Sequence, residues 1–218
     1  MMRKLMNDRV KVLNNDLITM ASLVEKQIYD SMIALKEQDT ILADKIIKND
    51  DEVDNMHKKI EEKCVKFMAI QSPVAKDLRR IYTTSKIVTD LERMADHAVD
   101  ICKIVKRLKG VDFVEEIVPI WRMGDIIIEM IKLSIEAYIN GDEESAYEIC
   151  DMDDSVDSIH QSMFETVLKK MGKDDSTINQ GTQILFISKY IERIGDHVTN
   201  ICEWIIFSKK GTYVDLNE

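Results

Sequence analysis

Apolar residues recur every three or four positions along most of the chain, which is the spacing of one face of an α-helix. From about residue 8 to residue 37 they are Leu13, Leu17, Met20, Leu23, Val24, Ile28, Met32 and Leu35. A second helix is predicted after Asp39, an N-cap residue, and runs to about Ala69. Its inward positions are Ile46, Val53, Ile60 and Phe67. Ser72-Pro73, a cap followed by proline at the first helical position, begins a third helix that stops at Gly110.

The same pattern restarts after a linker at Val111–Pro119. Helix 4 is predicted for about residues 121–139 and helix 6 for about residues 176–210. Helix 5 follows a turn and cap at Gly141-Asp142 and ends at Gly172. Long helices joined by short turns predict antiparallel bundles. The final stretch, residues 211–218, is expected to be a loose tail.

The two halves repeat each other. Shifting the sequence by 103 residues superposes Asp39 on Asp142, Asp50 on Asp153 and His57 on His160, and the third helices match at a shift of 100. A correspondence this long indicates a duplicated three-helix unit. We therefore predict an all-α fold of two tandem antiparallel three-helix bundles, with residues 1–110 as the first repeat and residues 111–218 as the second.

The net charge of the chain indicates which kinds of molecule it can bind. The net charge of −10 argues against nucleic acid, because phosphate backbones are bound by clustered Lys and Arg. Cations and basic protein surfaces fit this charge better. The N-terminus lacks the apolar segment of a signal peptide, and no apolar run is long enough to cross a membrane. We expect a cytoplasmic protein that is at most peripheral to a membrane complex. Its four cysteines, without C-x-x-C spacing, are expected to be buried thiols rather than disulfides.

Pairs of carboxylates one helical turn apart are the candidate chemistry. Each half carries one pair on its middle helix and one on its last helix: Asp50/Asp54, Glu92/Asp96, Asp153/Asp157 and Glu192/Asp196. Like charges at this spacing destabilise a helix by roughly 0.2–0.5 kcal/mol per pair, and a bound cation would offset that repulsion. Asp100, further round the third helix, is a ninth candidate, whose counterpart is Asn200. Oxygen ligands of this kind suit Mg, Mn, Ca or iron.

A solvated acidic face is the alternative interpretation of these pairs, since Lys58, Arg93 and Arg193 could compensate part of the charge. The occurrence of four such pairs at matching places in the two repeats favours cation binding over a solvated face. His57 and His160 are candidate secondary ligands because helical geometry places them near the Asp pairs, although a surface or capping role is the more common fate of such histidines. His97 and His197 point away from the Glu/Asp pairs by the same geometry.

The chain resembles the PhoU family of phosphate-signalling regulators. The resemblance is carried by Leu91-Glu-Arg-Met-Ala-Asp-His-Ala-Val-Asp-Ile and its copy Ile191-Glu-Arg-Ile-Gly-Asp-His-Val-Thr-Asn-Ile, by Asp77-Leu-Arg-Arg80, and by Asp50-x-x-x-Asp54 with Asp153-x-x-x-Asp157. Two departures stand out. Ala95 occupies the place of Gly195, and Asp77-Leu-Arg has no counterpart in Ile178-Asn-Gln-Gly-Thr.

This resemblance implies two three-helix bundles and metal ions, iron or zinc, at the Glu/Asp-x-x-x-Asp motifs. It also implies a cytoplasmic, non-enzymatic regulator that represses the phosphate-starvation response. The expected partners are the ATPase subunit of the phosphate ABC transporter and a phosphate-sensing histidine kinase. A homodimer is expected as well.

Two other classes compete with this interpretation. A carboxylate-bridged helical bundle with oxidase or metal-storage activity also places acids on bundle helices, but ferritin-like sites need Glu-x-x-His motifs, and neither Glu92 nor Glu192 has His three residues later. A purely structural scaffold would bind no metal. Nucleotide-hydrolase, zinc-protease and serine-esterase motifs are absent from the sequence.

Overall fold

The computed structural model describes the backbone of residues 2–71 and 73–216, and the side chains of residues 8–70 and 73–216. These residues form six α-helices and two short 3-10 helices, with no strand among them. The α-helices are α1 (Met2–Glu37), α2 (Thr40–Gln71), α3 (Ala75–Arg107), α4 (Pro119–Asn140), α5 (Glu143–Met171) and α6 (Ile178–Lys210). The 3-10 helices are Glu115–Ile117 and Asp175–Thr177. The all-α prediction of six long helices is confirmed.

Two of the predicted caps form. Asp39 accepts hydrogen bonds from the backbone N–H groups of Ile41 and Leu42 at 2.9 and 3.0 Å. Asp142 caps α5 in the same way through Glu144 and Ser145, at 3.2 and 3.3 Å. These bonds satisfy N–H groups that have no partner within the first helical turn.

The predicted ends of helix 3 are wrong. Val74 is extended (φ −69°, ψ 160°), so α3 begins only at Ala75 and Pro73 lies outside it rather than at its first position. The proposed cap at Ser72 falls outside the described residues. At the other end α3 stops at Arg107, and Gly110 lies in the following turn with φ 75°. Pro119 occupies the first turn of α4, which therefore starts earlier than predicted.

Helices α1, α2 and α3 pack against one another, and so do α4, α5 and α6. The two groups meet where α3 packs on α6 and α1 packs on α4, so α3 and α6 are the central helices of the molecule. Most of the predicted inward positions are buried, with Leu23 and Phe67 only partly covered. Cys64, Cys102 and Cys202 are buried free thiols, and Cys150 is a half-buried one.

The end of the chain is not the loose tail that we expected, as far as residue 216. Gly211, with φ 78°, turns the chain after α6. The Tyr213 ring then stacks on Phe207 at 4.4 Å between centroids, and the Leu216 N–H donates to Glu203 at 2.8 Å. The ring stacking and the backbone hydrogen bond hold residues 213–216 against α6. No helix in the described ranges has the length and apolar character needed to cross a membrane.

Candidate metal centre

The first acidic cluster consists of Asp50 and Asp54 on α2 and Glu92 and Asp96 on α3. These carboxylates interact across the groove between the two helices. Burial raises the pKa of Asp50 most; the hydrogen bond from Gln27 opposes that rise, and the charges of Asp96 and Asp54 add to it. Burial followed by the charge of Asp96 likewise raises the pKa of Glu92. The structure thus brings together the four acids predicted for the first half.

Gln27 of α1 fixes the position of Asp50. Its side-chain amide donates to Asp50 Oδ1 at 2.9 Å and lies 3.4 Å from the backbone oxygen of Ala95. One residue of α1 therefore ties α2 to α3 at the level of the cluster. Sequence patterns did not identify Gln27, because a glutamine on a helix face has no spacing signal of its own.

The second acidic cluster consists of Asp153 and Asp157 on α5 with Glu192 and Asp196 on α6. Asp153 is only 8% exposed. Burial, and then the charge of Asp157, raises its pKa to about 7. Burial and the charge of Glu192 also raise the pKa values of Asp157 and Asp196. The mutual effect shows that these acids, too, share one groove.

Asp153 lies close against the backbone of α6. The Thr199 hydroxyl donates to its Oδ2 at 3.1 Å. A Cβ atom placed on Gly195 would overlap Asp153 Oδ1. The absence of a side chain at residue 195 therefore makes the room that Asp153 occupies. The sequence contained this signal as the difference between Ala95 and Gly195, but only the structure shows what the difference does.

Basic side chains compensate part of the charge, as the solvated-face alternative anticipated. Arg93 lies 3.1 Å from Asp96 and 3.4 Å from Glu92. In the second half Lys189 pairs with Glu192. Asp100, the ninth candidate, pairs with Lys103 at 2.7 Å. Among the described side chains, the anticipated pairs of Lys58 with Asp54 and of Arg193 with Asp196 do not form.

Other acidic oxygens remain without a hydrogen-bond donor. Asp153 Oδ1 and Glu92 Oε2 are buried and receive no hydrogen bond, although the Arg93 guanidinium is near the latter. A buried carboxylate oxygen without a donor is costly, and a cation is the natural partner for it. The chemistry of both clusters therefore fits a hard metal ion.

The positions of these side chains do not form a complete metal site. As the side chains are placed, no three His, Cys, Asp or Glu groups of the described residues converge on a point that could hold a metal ion. The acids line the two grooves instead of surrounding a common centre. The metal-ligand role of the nine acidic residues stays a prediction.

All four histidines lie near acids, although helical geometry predicted this only for His57 and His160. His97 and His197 line the same cleft as Asp96 and Asp196, so they are not turned away from the acid pairs as predicted. His57 lies near Glu92, with its Nε2 3.6 Å from Glu61, and His160 lies near Asp157 with its Nδ1 2.7 Å from Ser188 Oγ. The other two meet between α3 and α6, with 5.9 Å between the ring centroids of His97 and His197.

Asp90, which the sequence did not single out, anchors that junction. It accepts from Asn200 at 3.2 Å and lies 3.0 Å from His197 Nδ1. Its counterpart in the repeat, Tyr190, instead stacks on His97 at 5.6 Å between centroids. The two halves therefore fill equivalent places with different chemistry.

Both clusters open toward one cleft between α3 and α6. The cleft has a volume of about 840 Å³, and Asp96 of the first cluster and Asp196 of the second both line it. Asp50 and Asp100 also reach this space. The two candidate metal sites are thus neighbours on one side of the central helix pair.

The sequence model of the PhoU domain matches residues 17–105 and again residues 120–205. A phosphate-specific transport system accessory protein PhoU homolog from Clostridium acetobutylicum is 49% identical over 219 residues, covering all of both chains. The Escherichia coli protein of that name is 32% identical over 205 residues, which is 94% of this chain and 85% of the relative.

Solved structures agree with these matches. The crystal structure of PhoU from Pseudomonas aeruginosa superposes with a TM-score of 0.90 at 30% identity, covering 94% of this chain and 99% of that one. The phosphate transport system regulatory protein PhoU from Streptococcus pneumoniae has a TM-score of 0.90 at 28% identity, covering 96% and 99%. Two matches to the domain model, together with full-length similarity, settle the family. The chain belongs to the PhoU family.

Proposed function

We propose that this chain regulates phosphate transport by binding metal ions at its two acidic clusters and by contacting proteins of the transport and signalling system. Its relatives in Clostridium acetobutylicum and Escherichia coli are named as accessory proteins of a phosphate-specific transport system. A transporter component is therefore the first class of partner to test. Regulation by contact, not catalysis, is the mode of action that we propose.

One observation carries the metal-binding part of this proposal: matching grooves in the two halves both gather four acidic side chains, whose shared burial and charge raise the pKa values of several members. A metal ion would supply the positive charge that these carboxylates lack. The first site would use Asp50, Asp54, Glu92 and Asp96, with Asp100 beside it. The second would use Asp153, Asp157, Glu192 and Asp196. Iron or zinc is our first choice from the family resemblance, and Mg, Mn or Ca fits the same oxygen donors.

Metal analysis of protein purified without chelator or histidine tag tests this part directly. We expect metal in the wild-type protein and about half as much in the Glu92→Gln/Asp96→Asn variant. The Glu192→Gln/Asp196→Asn variant should lose the other half. Helicity should be unchanged in both, since each substitution removes a repulsive pair.

A matched control removes the same two charges from outside the grooves. Asp51 and Glu52 are exposed on α2, next to the first cluster in sequence but directed away from it. The Asp51→Asn/Glu52→Gln variant should therefore keep the wild-type metal content. Equal metal in all four proteins would mean that the clusters are solvated acidic faces.

The proposed partners are the ATPase subunit of the phosphate ABC transporter and a phosphate-sensing histidine kinase, both reached from the cytoplasm. Removing the protein from its cell should then derepress phosphate-starvation genes in phosphate-rich medium. Normal repression and normal phosphate uptake in the deletion strain would contradict this role even with the fold unchanged.

The expected homodimer can be measured separately by light scattering on the purified protein.

The basic segment Asp77-Leu-Arg-Arg80, found only in the first half, is a candidate partner contact. Its arginines are poor probes because they have structural roles. The Arg79 side chain lies against Gly211 with its Nε buried, and the Arg80 guanidinium lies 3.0 Å from the side-chain amide of Asn14. Lys76, which is exposed on the same turn of α3, is a cleaner choice. Lys76→Glu should weaken transporter binding, and Lys132→Glu on exposed α4 surface should not.

A further inference from the structure

Helices α5 and α6 run antiparallel along the groove of the second acidic cluster. Asp153 on α5 accepts a hydrogen bond from Thr199 on α6 at 3.1 Å. Further along α5, the His160 ring is bonded at 2.7 Å to Ser188, which comes earlier on α6. Residues that lie equally far before Asp153 and after Thr199 are therefore opposite each other across the groove.

This register brings two cysteines together. Cys150 precedes Asp153 by three residues, and Cys202 follows Thr199 by three. Three residues are close to one helical turn, so both cysteines lie on the faces that meet in the groove. Their thiols are hydrogen-bonded to each other, and the Cys150 thiol is also hydrogen-bonded to the Thr199 hydroxyl. The two sulfur atoms are therefore neighbours, although both cysteines are free thiols.

Cys150 is the member of this pair that solvent reaches. It is half-buried, whereas Cys202 is 0% exposed. The hydrogen bond from Cys202 lowers the pKa of Cys150, while that bond and burial raise the pKa of Cys202. The thiolate is the reactive form of cysteine. A small oxidant therefore meets Cys150 first, with Cys202 directly behind it.

The first repeat has no equivalent pair. The shifts that superpose the repeats match Cys150 with Ile47 and Cys202 with Cys102. Cys64, the other cysteine of this half, is seventeen residues beyond Ile47 on α2, which is about 25 Å along the helix. A disulfide joins Cα atoms that are only about 4.4–6.8 Å apart. Cys64 and Cys102 are therefore an internal control for cysteines that lack a partner.

We propose that Cys150 and Cys202 are a redox pair, which hydrogen peroxide converts to a disulfide between α5 and α6. The Cys150 sulfur attacks one peroxide oxygen and the O–O bond breaks. The sulfur becomes a sulfenic acid, and the displaced hydroxide takes up the thiol proton as water. The Cys202 sulfur then attacks the Cys150 sulfur, so that the S–S bond forms and the S–O bond breaks. The hydroxyl leaves with the Cys202 proton as a second water. Two thiols lose two electrons, and the peroxide gains them.

This disulfide would join α5 to α6 one turn from Asp153 and hold that end of the groove at a fixed width. It would also close the long loop of residues 150–202. Cross-links of long loops stabilise a fold chiefly by restricting the unfolded chain, so the melting temperature should rise by about 4–10 °C. The inference does not depend on the metal binding proposed above.

Peroxide treatment of the reduced, chelator-treated full-length protein tests the inference. Free thiols are counted after denaturation, and disulfides are located by mass spectrometry of peptides prepared without reductant. We expect half of the four thiols to be lost. One bond within the chain should map to Cys150 and Cys202, and dithiothreitol should restore both thiols. The melting temperature should rise on oxidation and return on reduction.

Two matched variants each remove one thiol. Cys150→Ala should form no disulfide within the chain. Cys102→Ala, which removes a buried thiol outside the pair, should form the same disulfide as the wild-type protein. Circular dichroism checks that both variants are folded. The peptide map of the wild-type protein decides the question even if one variant does not fold.

Several results would overturn the inference. One is a disulfide that maps to another pair of cysteines or that joins two molecules. Another is a sulfinic acid on Cys150 beside an unreacted Cys202 thiol. Four intact thiols at a peroxide concentration that oxidises the unfolded chain would also overturn it. A melting temperature that does not rise on oxidation would show that the native helices do not hold the two sulfur atoms at bonding distance.

Discussion

The two acidic clusters occupy equivalent places in the repeat but hold their central aspartates at different depths. Asp50 is partly exposed and is fixed by Gln27 of α1, whereas Asp153 is 8% exposed and is fixed by Thr199 of α6. The residue facing the aspartate is Ala95 in the first half and Gly195 in the second. A Cβ atom on Gly195 would overlap Asp153. The absence of a methyl group at residue 195 is therefore one of the differences that let Asp153 lie deeper than Asp50.

The depth of each aspartate determines how strongly its protonated, uncharged form is favoured over the carboxylate. The pKa of Asp153 rises from 3.8 to about 7, chiefly through burial. The pKa of Asp50 rises in the same direction, but a hydrogen bond from Gln27 opposes the rise. We conclude that, without metal, the carboxylates of the second cluster destabilise the fold more than those of the first. The contribution of the second cluster to stability also depends more on pH.

The largest expected effect comes from neutralising Asp153. Its pKa is raised in the folded state, so protonated Asp153 stabilises the fold below about pH 4. That stabilisation is lost as the pH rises through about 7. In chelator at pH 8, Asp153→Asn should increase the free energy of unfolding by about 2–4 kcal/mol, at about 1.4 kcal/mol per pKa unit. The gain should nearly vanish at pH 4.

Denaturant unfolding at the two pH values measures this effect. Asp50→Asn is the matched variant in the first half, and its gain should be smaller because Asp50 is more exposed. A loss of stability at pH 8 in the Asp153→Asn variant would show that the buried carboxylate is not strained. Equal increases in the free energy of unfolding for both variants would show that the two clusters do not differ in this respect.

Gly195→Ala should convert the second cluster toward the first. The new methyl group must displace Asp153, so we expect metal affinity at the second cluster to fall at least tenfold, or about 1.4 kcal/mol. Titration in the Glu92→Gln/Asp96→Asn background isolates that cluster. Ala95→Gly, the reverse change, should leave metal affinity at the second cluster at its wild-type value. Unaltered affinity after Gly195→Ala would show that residue 195 does not position the ligand.

Thr199→Val copies Val99 of the first half and removes the hydroxyl donor to Asp153. We expect the free energy of unfolding at pH 8 to fall by about 1.5–3 kcal/mol, which is the usual contribution of a hydrogen bond to a charged group. The loss should shrink when Asp153→Asn is also present. A double-mutant cycle measures the coupling, and strictly additive effects would show that the two residues act independently.

The smallest effect is expected for Gln27→Met, which copies Met130 of the second half. Asp50 is partly exposed, so water can replace the lost amide, and the change in unfolding free energy should be about 0.5–1 kcal/mol. Thermal or denaturant unfolding with chelator present gives this value. A change larger than that of Thr199→Val would reverse our ranking of the two clusters.

Helix periodicity and the internal repeat were sufficient to predict the fold. The six helices follow from apolar residues spaced at 3.6 positions, and the caps at Asp39 and Asp142 follow from local chemistry. The start of α3 could not be predicted, because Val74 takes an extended conformation where a Ser-Pro signal favours a helix. The docking of Tyr213 on Phe207 depends on a tertiary aromatic contact that has no local pattern.

The candidate site was predictable only in part. Spacing identified the eight paired acids, because two carboxylates one turn apart are visible in the sequence. Gln27 and Thr199 were not found, since each acts across helices whose relative rotation the sequence does not specify. Asp90 was missed for the same reason. Its partners, His197 and Asn200, are more than a hundred residues away in the chain.

A calorimetric titration of zinc into the metal-free protein at pH 7.5 and pH 5.5 tests the central claim most directly. The account predicts two classes of site at pH 7.5, of which the class removed by Glu192→Gln/Asp196→Asn weakens more at pH 5.5, because the pKa of Asp153, about 7, lets protons compete with metal there. The class removed by Glu92→Gln/Asp96→Asn should weaken less. No binding by the wild-type protein, or one class of site that weakens equally in both variants, would contradict the account.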